Sequence, residues 1–87
     1  MSAQELSTKY INAMDKTVSG MHRIQGSISV KEECINELLG YVTAYLQDAK
    51  YFQEQKKFET SLTSIAYCEG LLDALKLIGA VKVPVGP

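Results

Sequence analysis

The chain is 87 residues long and carries nine Lys and Arg against ten Asp and Glu, a formal net charge of −1. That length leaves room for one small core and no second domain. The near-neutral balance gives no electrostatic reason to expect nucleic acid or an anionic membrane as a partner, and 46% apolar with 22% charged residues is a globular rather than a disordered composition.

No stretch approaches the roughly 18 consecutive apolar residues of a membrane-spanning helix. Met1-Ser2-Ala3-Gln4-Glu5 lacks the basic and apolar regions of a signal peptide, so the expected location is the cytoplasm. Cys34 and Cys68 have no metal-type or redox-type spacing and read as two small buried hydrophobes.

The first predicted helix spans about 3–24. Ser2 and Glu5 form a capping box at its start. Ala3, Leu6, Tyr10, Met14, Thr17, Met21 and Ile24 share one arc at 3.6 residues per turn, and Glu5, Lys9, Asn12, Lys16, Ser19 and Arg23 take the other side. Gly26 ends the helix, placing His22, the one histidine, where an imidazolium favours the helix C-terminus.

The second helix is expected over about 30–55, opened by a capping box of Ser29 and Glu32. Its apolar stripe is Cys34, Ile35, Leu38, Val42, Tyr45, Leu46, Ala49 and Phe52. Gly40 inside it costs up to about 1 kcal/mol relative to Ala, which hints at close packing there. Continued beyond Phe52, the same face would carry Gln53, Lys56, Glu59, Thr60 and Thr63, all polar. Apolar residues return on a different face, at Ile65, Cys68, Leu71, Leu72, Leu75 and Ile78. A phase break across a polar interval marks a reversal near Lys56 rather than one long rod.

The third helix therefore runs over about 58–79. Two prolines keep the 80–87 tail out of it, either frayed or strapped along the helices. Three amphipathic helices with short connections predict an all-α fold, a three-helix up-down antiparallel bundle.

Asp48-Ala49-Lys50-Tyr51-Phe52, then a turn, then Tyr67, Gly70, Leu72, Asp73 and Ala74 in a Tyr-x-x-Gly-x-Leu-Asp-Ala pattern resemble an archaeal family, the domain of unknown function three-five-seven. That family usually turns with Gly-Asp before an aromatic, where this chain has Lys56-Lys57 before Phe58. The resemblance implies a small helical bundle and no established activity. Some relatives join the domain to a nucleotidyltransferase-like domain, which implies an accessory role.

Candidate chemistry is sparse. Asp48 flanks the stripe beside Tyr41 and Tyr45, where it either faces a partner or bonds a tyrosine hydroxyl. Glu69, Asp73 and Lys76 share one side of the third helix, and Asp48 should sit about 13 Å along the axis from the level of Asp73, too far for an acid–base pair. One histidine builds no zinc site, no Glu-x-x-His motif offers a di-iron site, and the scattered glycines form no phosphate loop. Lys50, Lys56 and Lys57 cluster near the turn with Tyr51 and Phe58, but three lysines in a near-neutral chain read as a solvated turn rather than a nucleic-acid groove.

The sequence therefore predicts a non-enzymatic helical module without metal or cofactor. Its contacts are Tyr45, Asp48, Tyr51, Tyr67 and Asp73, and its partner is another protein or a second copy, since tyrosine is enriched at interfaces. Neither nucleic acid nor a membrane is expected, and a small molecule stays open. The rival expectation is an accessory domain or subunit handling a nucleotide or other small ligand through Asp48 or Asp73 and the neighbouring tyrosines.

Overall fold

The computed structural model describes residues 1–85 and is all-α. Its three helices are α1 (Ala3–Gly20), α2 (Glu32–Glu54) and α3 (Phe58–Leu77). Each forms where the sequence places it, with shorter ends.

The cap of α1 is as expected: Ser2 Oγ accepts from the Glu5 N–H at 3.1 Å, while the Ser2 hydroxyl donates to the Glu5 carboxylate at 3.0 Å. Its C-terminus differs. The helix stops at Gly20, with Met21 already extended, so Met21, His22 and Ile24 fall outside it. Ser19-Gly20 is a weak helical pair, and no neighbouring element holds the last turn in place. Gly26, at φ 79°, turns the connecting segment instead.

At the start of α2 the expected Ser29–Glu32 box does not form. Lys31 is the N-cap residue and makes no side-chain bond there. Glu32 and Glu33 occupy the first turn, where negative charge suits the exposed N–H groups.

Both ends of the hairpin helices close in the same way. Beyond α2, the Lys57 N–H reaches Phe52 O at 2.8 Å and the Lys56 N–H reaches Gln53 O at 2.9 Å. Beyond α3, the Ala80 N–H reaches Leu75 O at 2.9 Å and the Gly79 N–H reaches Lys76 O at 3.0 Å. This paired pattern requires a left-handed residue just past the helix. Gly79 supplies it at φ 76° without strain, but at the α2–α3 reversal the residue is Lys56, at φ 60°.

α2 and α3 run antiparallel along a seam of heptad spacing. Ile35, Leu38, Val42, Tyr45, Ala49 and Phe52 of α2 face Ser61, Ser64, Ile65, Cys68, Leu71, Leu72 and Leu75 of α3, all buried or half-buried. Two hydrogen bonds fix the register: Ser61 Oγ donates to Ala49 O at 2.7 Å, and Cys68 Sγ donates to Val42 O at 3.3 Å. A step of seven residues up α3 matches seven down α2, so Cys68 lies level with Val42. Reversal is centred at Gln55, not Lys56.

Three expectations about packing change. Cys34, at the margin of the stripe, is exposed, and both thiols are free. Gly40 allows no close approach, since a Cβ there would meet nothing within 4 Å. Ile78, beyond the end of α3, is exposed. In the tail Ala80 and Val81 are half-buried and Val85 is fully exposed, while positions 86 and 87 of the expected strap lie outside the described residues.

Of the expected bundle, the packed part is the hairpin. Among the described residues α2 and α3 are in contact, and α1 touches neither. Every residue of α1 is exposed. The radius of gyration is 16.0 Å, against about 12 Å for a close-packed chain of this length. Accessible surface is 7761 Å², against about 5,100 Å² for a compact monomer of this mass.

Replacing Lys56 with Gly removes the left-handed strain. We expect K56G to stabilise the hairpin by roughly 0.5–1 kcal/mol, read as a higher urea midpoint. A lowered midpoint would contradict the turn described above.

Candidate functional site

The heptad seam leaves two residues of one flank in aromatic contact. Tyr45, half-buried on α2, meets Tyr67 of α3 with ring centroids 4.5 Å apart and planes tilted by 41°. Tyr67 keeps 55% of its surface exposed. One turn N-terminal to Tyr45, Tyr41 donates its hydroxyl to Glu37 at 2.9 Å, an i to i−4 bond along the helix. That carboxylate raises the Tyr41 pKa, first by accepting a hydrogen bond from the neutral phenol and then by its charge.

Of the five residues predicted as contacts, the structure brings together Tyr45 and Tyr67. Asp48 lies one turn from Tyr45 on the same side of α2, but the nearby tyrosine hydroxyl goes to Glu37 instead. Tyr51 points away and packs edge-on against Phe52, centroids 5.3 Å apart. Asp73 sits on the outer side of α3 with Lys76 and Leu77, around an open depression of about 420 Å³. Given the register, Asp73 is level with Glu37, eleven residues and about 16 Å along the axis from Asp48. The two carboxylates share no site.

Two further hollows among the described residues hold no converging chemistry. One of about 440 Å³ is lined by the five consecutive residues from Lys56 to Thr60 at the turn. Another, of about 220 Å³, lies on the flank away from the tyrosines, between Leu46, Ala49, Lys50, Gln53, Ser61 and Ile65. Among the described residues no three His, Cys, Asp or Glu side chains cluster as a metal ion requires.

The larger feature is one the candidate residues missed. α1 carries Leu6, Tyr10, Ile11, Met14 and Val18 within one arc of its surface, and they are 38, 65, 58, 60 and 52% exposed. Lys9, Asn12, Asp15 and Lys16 hold the opposite side. Periodicity marks Leu6, Tyr10 and Met14 of this arc as apolar and assigns them to the bundle core, while Ile11 and Val18 lie outside the predicted stripe.

A family model described as "Protein of unknown function (DUF357)" matches residues 9–81, which takes in most of α1 and all of the hairpin. The chain belongs to this family. No curated protein and no solved structure matches it. Among the described residues no helix is long and apolar enough to cross a membrane.

Two solution measurements check this geometry. The native chain should consume one equivalent of a thiol reagent rapidly, at exposed Cys34, and a second, at buried Cys68, only on unfolding; equal rates would place Cys68 at the surface. In an NMR titration Tyr41 should ionise above the usual tyrosine value of about 10, and E37Q should bring it back down. Because its folded pKa is raised, the stabilisation from this pair is complete below about pH 10 and is lost as pH climbs through the folded value.

Proposed function

We propose that the chain is a non-enzymatic protein-association module of the cytoplasm, making its contacts through the apolar face of α1 and the tyrosine flank of the hairpin. One observation carries the reading: an amphipathic helix of 18 residues stands with its whole apolar arc in water. Contiguous apolar surface of this kind marks interaction sites in folded proteins. Covering Leu6, Tyr10, Met14 and Val18 alone would contribute on the order of 5 kcal/mol.

The tyrosine flank has matching chemistry. Tyr41 and Tyr67 present apolar rings with polar tips, the side-chain type that interfaces favour. Free thiols suit a reducing compartment. A net charge of −1 gives a polyanion or an anionic lipid surface little to attract.

The accessory reading, in which Asp48 and Asp73 handle a nucleotide or other small ligand, has less support. It needs a pocket that draws one of these carboxylates together with a lysine and tyrosines. Asp73 has Lys76 beside it but no tyrosine, and the hollow containing Lys50 has neither an aspartate nor a tyrosine.

Site-specific photo-crosslinking in the native host tests the association reading. A benzophenone side chain at Tyr10 or Tyr67 should give discrete protein adducts, and the same group at Lys16 or Gln47, on polar faces, should give none. Adducts no more abundant from the apolar positions than from the polar controls would end this reading.

A further inference from the structure

We infer that the occupant of these faces is a second copy of the chain, joined by exchange of arms: α1 of each protomer lies along the tyrosine flank of the other's hairpin. This rests on the association reading above and names its partner.

Three observations point the same way. First, the chain exposes about 2,700 Å² more than a compact monomer of its mass. A stable complex buries about 800 Å² on each partner, and obligate dimers bury more, so the excess is of the size a permanent dimer covers.

Second, the two segments are complementary in charge. α1 itself is neutral, Lys9 and Lys16 balancing Glu5 and Asp15, and the positive charge ahead of the hairpin, Arg23 and Lys31, lies on the connector, a net +2 over residues 1–31. Residues 32–87 hold five lysines against eight carboxylates, a net −3. A neutral helix on a basic connector meets no like-charge repulsion from an acidic hairpin, whereas two basic connectors brought together would repel, which favours arm on hairpin over arm on arm.

Third, the connector is long. Eleven residues separate Gly20 from Glu32, whereas neighbouring helices of one bundle are joined by about 2–8. Eleven extended residues reach about 36 Å, more than the width of a two-helix layer. Such a connector allows α1 to leave its own hairpin, and two-fold exchange closes the assembly with both arms covered.

Met14 at the middle of the α1 face and Tyr67 on the hairpin flank would then meet across the joint, a thioether against an aromatic ring. Both are more than half exposed in the single chain, so a charge at either leaves the α2–α3 seam in place, read as slow reaction of Cys68 with a thiol reagent in each variant, even where the uncovered α1 loses helical circular dichroism.

The test is complementation in analytical ultracentrifugation from about 1 to 200 μM, on the full chain. Wild type should sediment as a dimer. M14D alone and Y67D alone should each weaken dimerisation by about 100-fold or more, since either places a charge in both joints. An equimolar mixture of the two should regain a heterodimer, because the intact arm of the Y67D chain can still dock on the intact hairpin of the M14D chain.

A wild-type monomer throughout the range, an M14D dimer as tight as wild type, or a mixture that stays monomeric would each overturn arm exchange. Any of these, with crosslinks to another protein from Tyr10 or Tyr67, would remove the second copy and leave the association reading standing. Their joint failure is a monomer with no adducts at all.

Discussion

The structure depends on how closely two helix backbones approach along one seam. Ser61 and Cys68 each donate from a short side chain to a backbone carbonyl on the opposite helix, at Ala49 and Val42. Contacts of that length form only where both helices carry small residues, and Ala49, Ser61, Ser64 and Cys68 are small. The two bonds are seven residues apart on each strand of the hairpin, the interval at which a helix pair supercoils. A longer side chain at Ala49 would separate the backbones and release both donors. Register, the Tyr45–Tyr67 pairing and the placing of Glu37 level with Asp73 all follow from this spacing.

The same seam shows how little core a helix pair can build. Among the described residues Ala49, Cys68 and Leu75 are the buried apolar ones, and of these Leu75 is fully buried. A small domain already buries a modest fraction of its surface, and here a third of the helical residues contribute nothing to burial in the single chain. α1 is held by its own hydrogen bonds and its Ser2 cap. An isolated helix of 18 residues is marginal in water. Cover over Leu6, Tyr10 and Met14 would therefore add to its order.

Legibility in the sequence divides along physical lines. The α2–α3 hairpin could be read because its signal is periodic and local: the apolar phase is lost after Phe52 and returns on another face at Ile65. The left-handed turn at Lys56 could not, because lysine carries no signal for positive φ, and glycine, which does, is absent there. Capping boxes were half right, since Ser2 acts on a free helix start while Ser29 sits two residues ahead of the N-cap position that α2 adopts. The α1 stripe was legible as apolar, but periodicity states that a face avoids water without stating what covers it. The Tyr41–Glu37 pair follows from i to i−4 spacing, whereas Asp48 has the same proximity to the tyrosines without the bond. Asp73 shares its side of α3 with Glu69 and Lys76, so its position on a solvated outer face was legible from helical spacing.

Marginal packing and unpartnered surface are two aspects of one energetic fact. Anything that binds the folded form stabilises it by RT ln(1 + [L]/Kd), about 2.7 kcal/mol at a hundredfold excess over Kd. For a hairpin with so small a buried core that is a large share of the total, because small domains hold only a few kcal/mol to begin with. Association would then do more than bring partners together. It would supply the apolar burial the chain lacks on its own, and folding and binding would share one equilibrium. The long connector fits this arrangement, since it lets α1 find cover without disturbing the heptad seam. A bundle closed by a short loop would bury the same arc within one chain and leave no such surface. The 11 residues between Gly20 and Glu32 therefore matter as much to the behaviour of this protein as the helices they join.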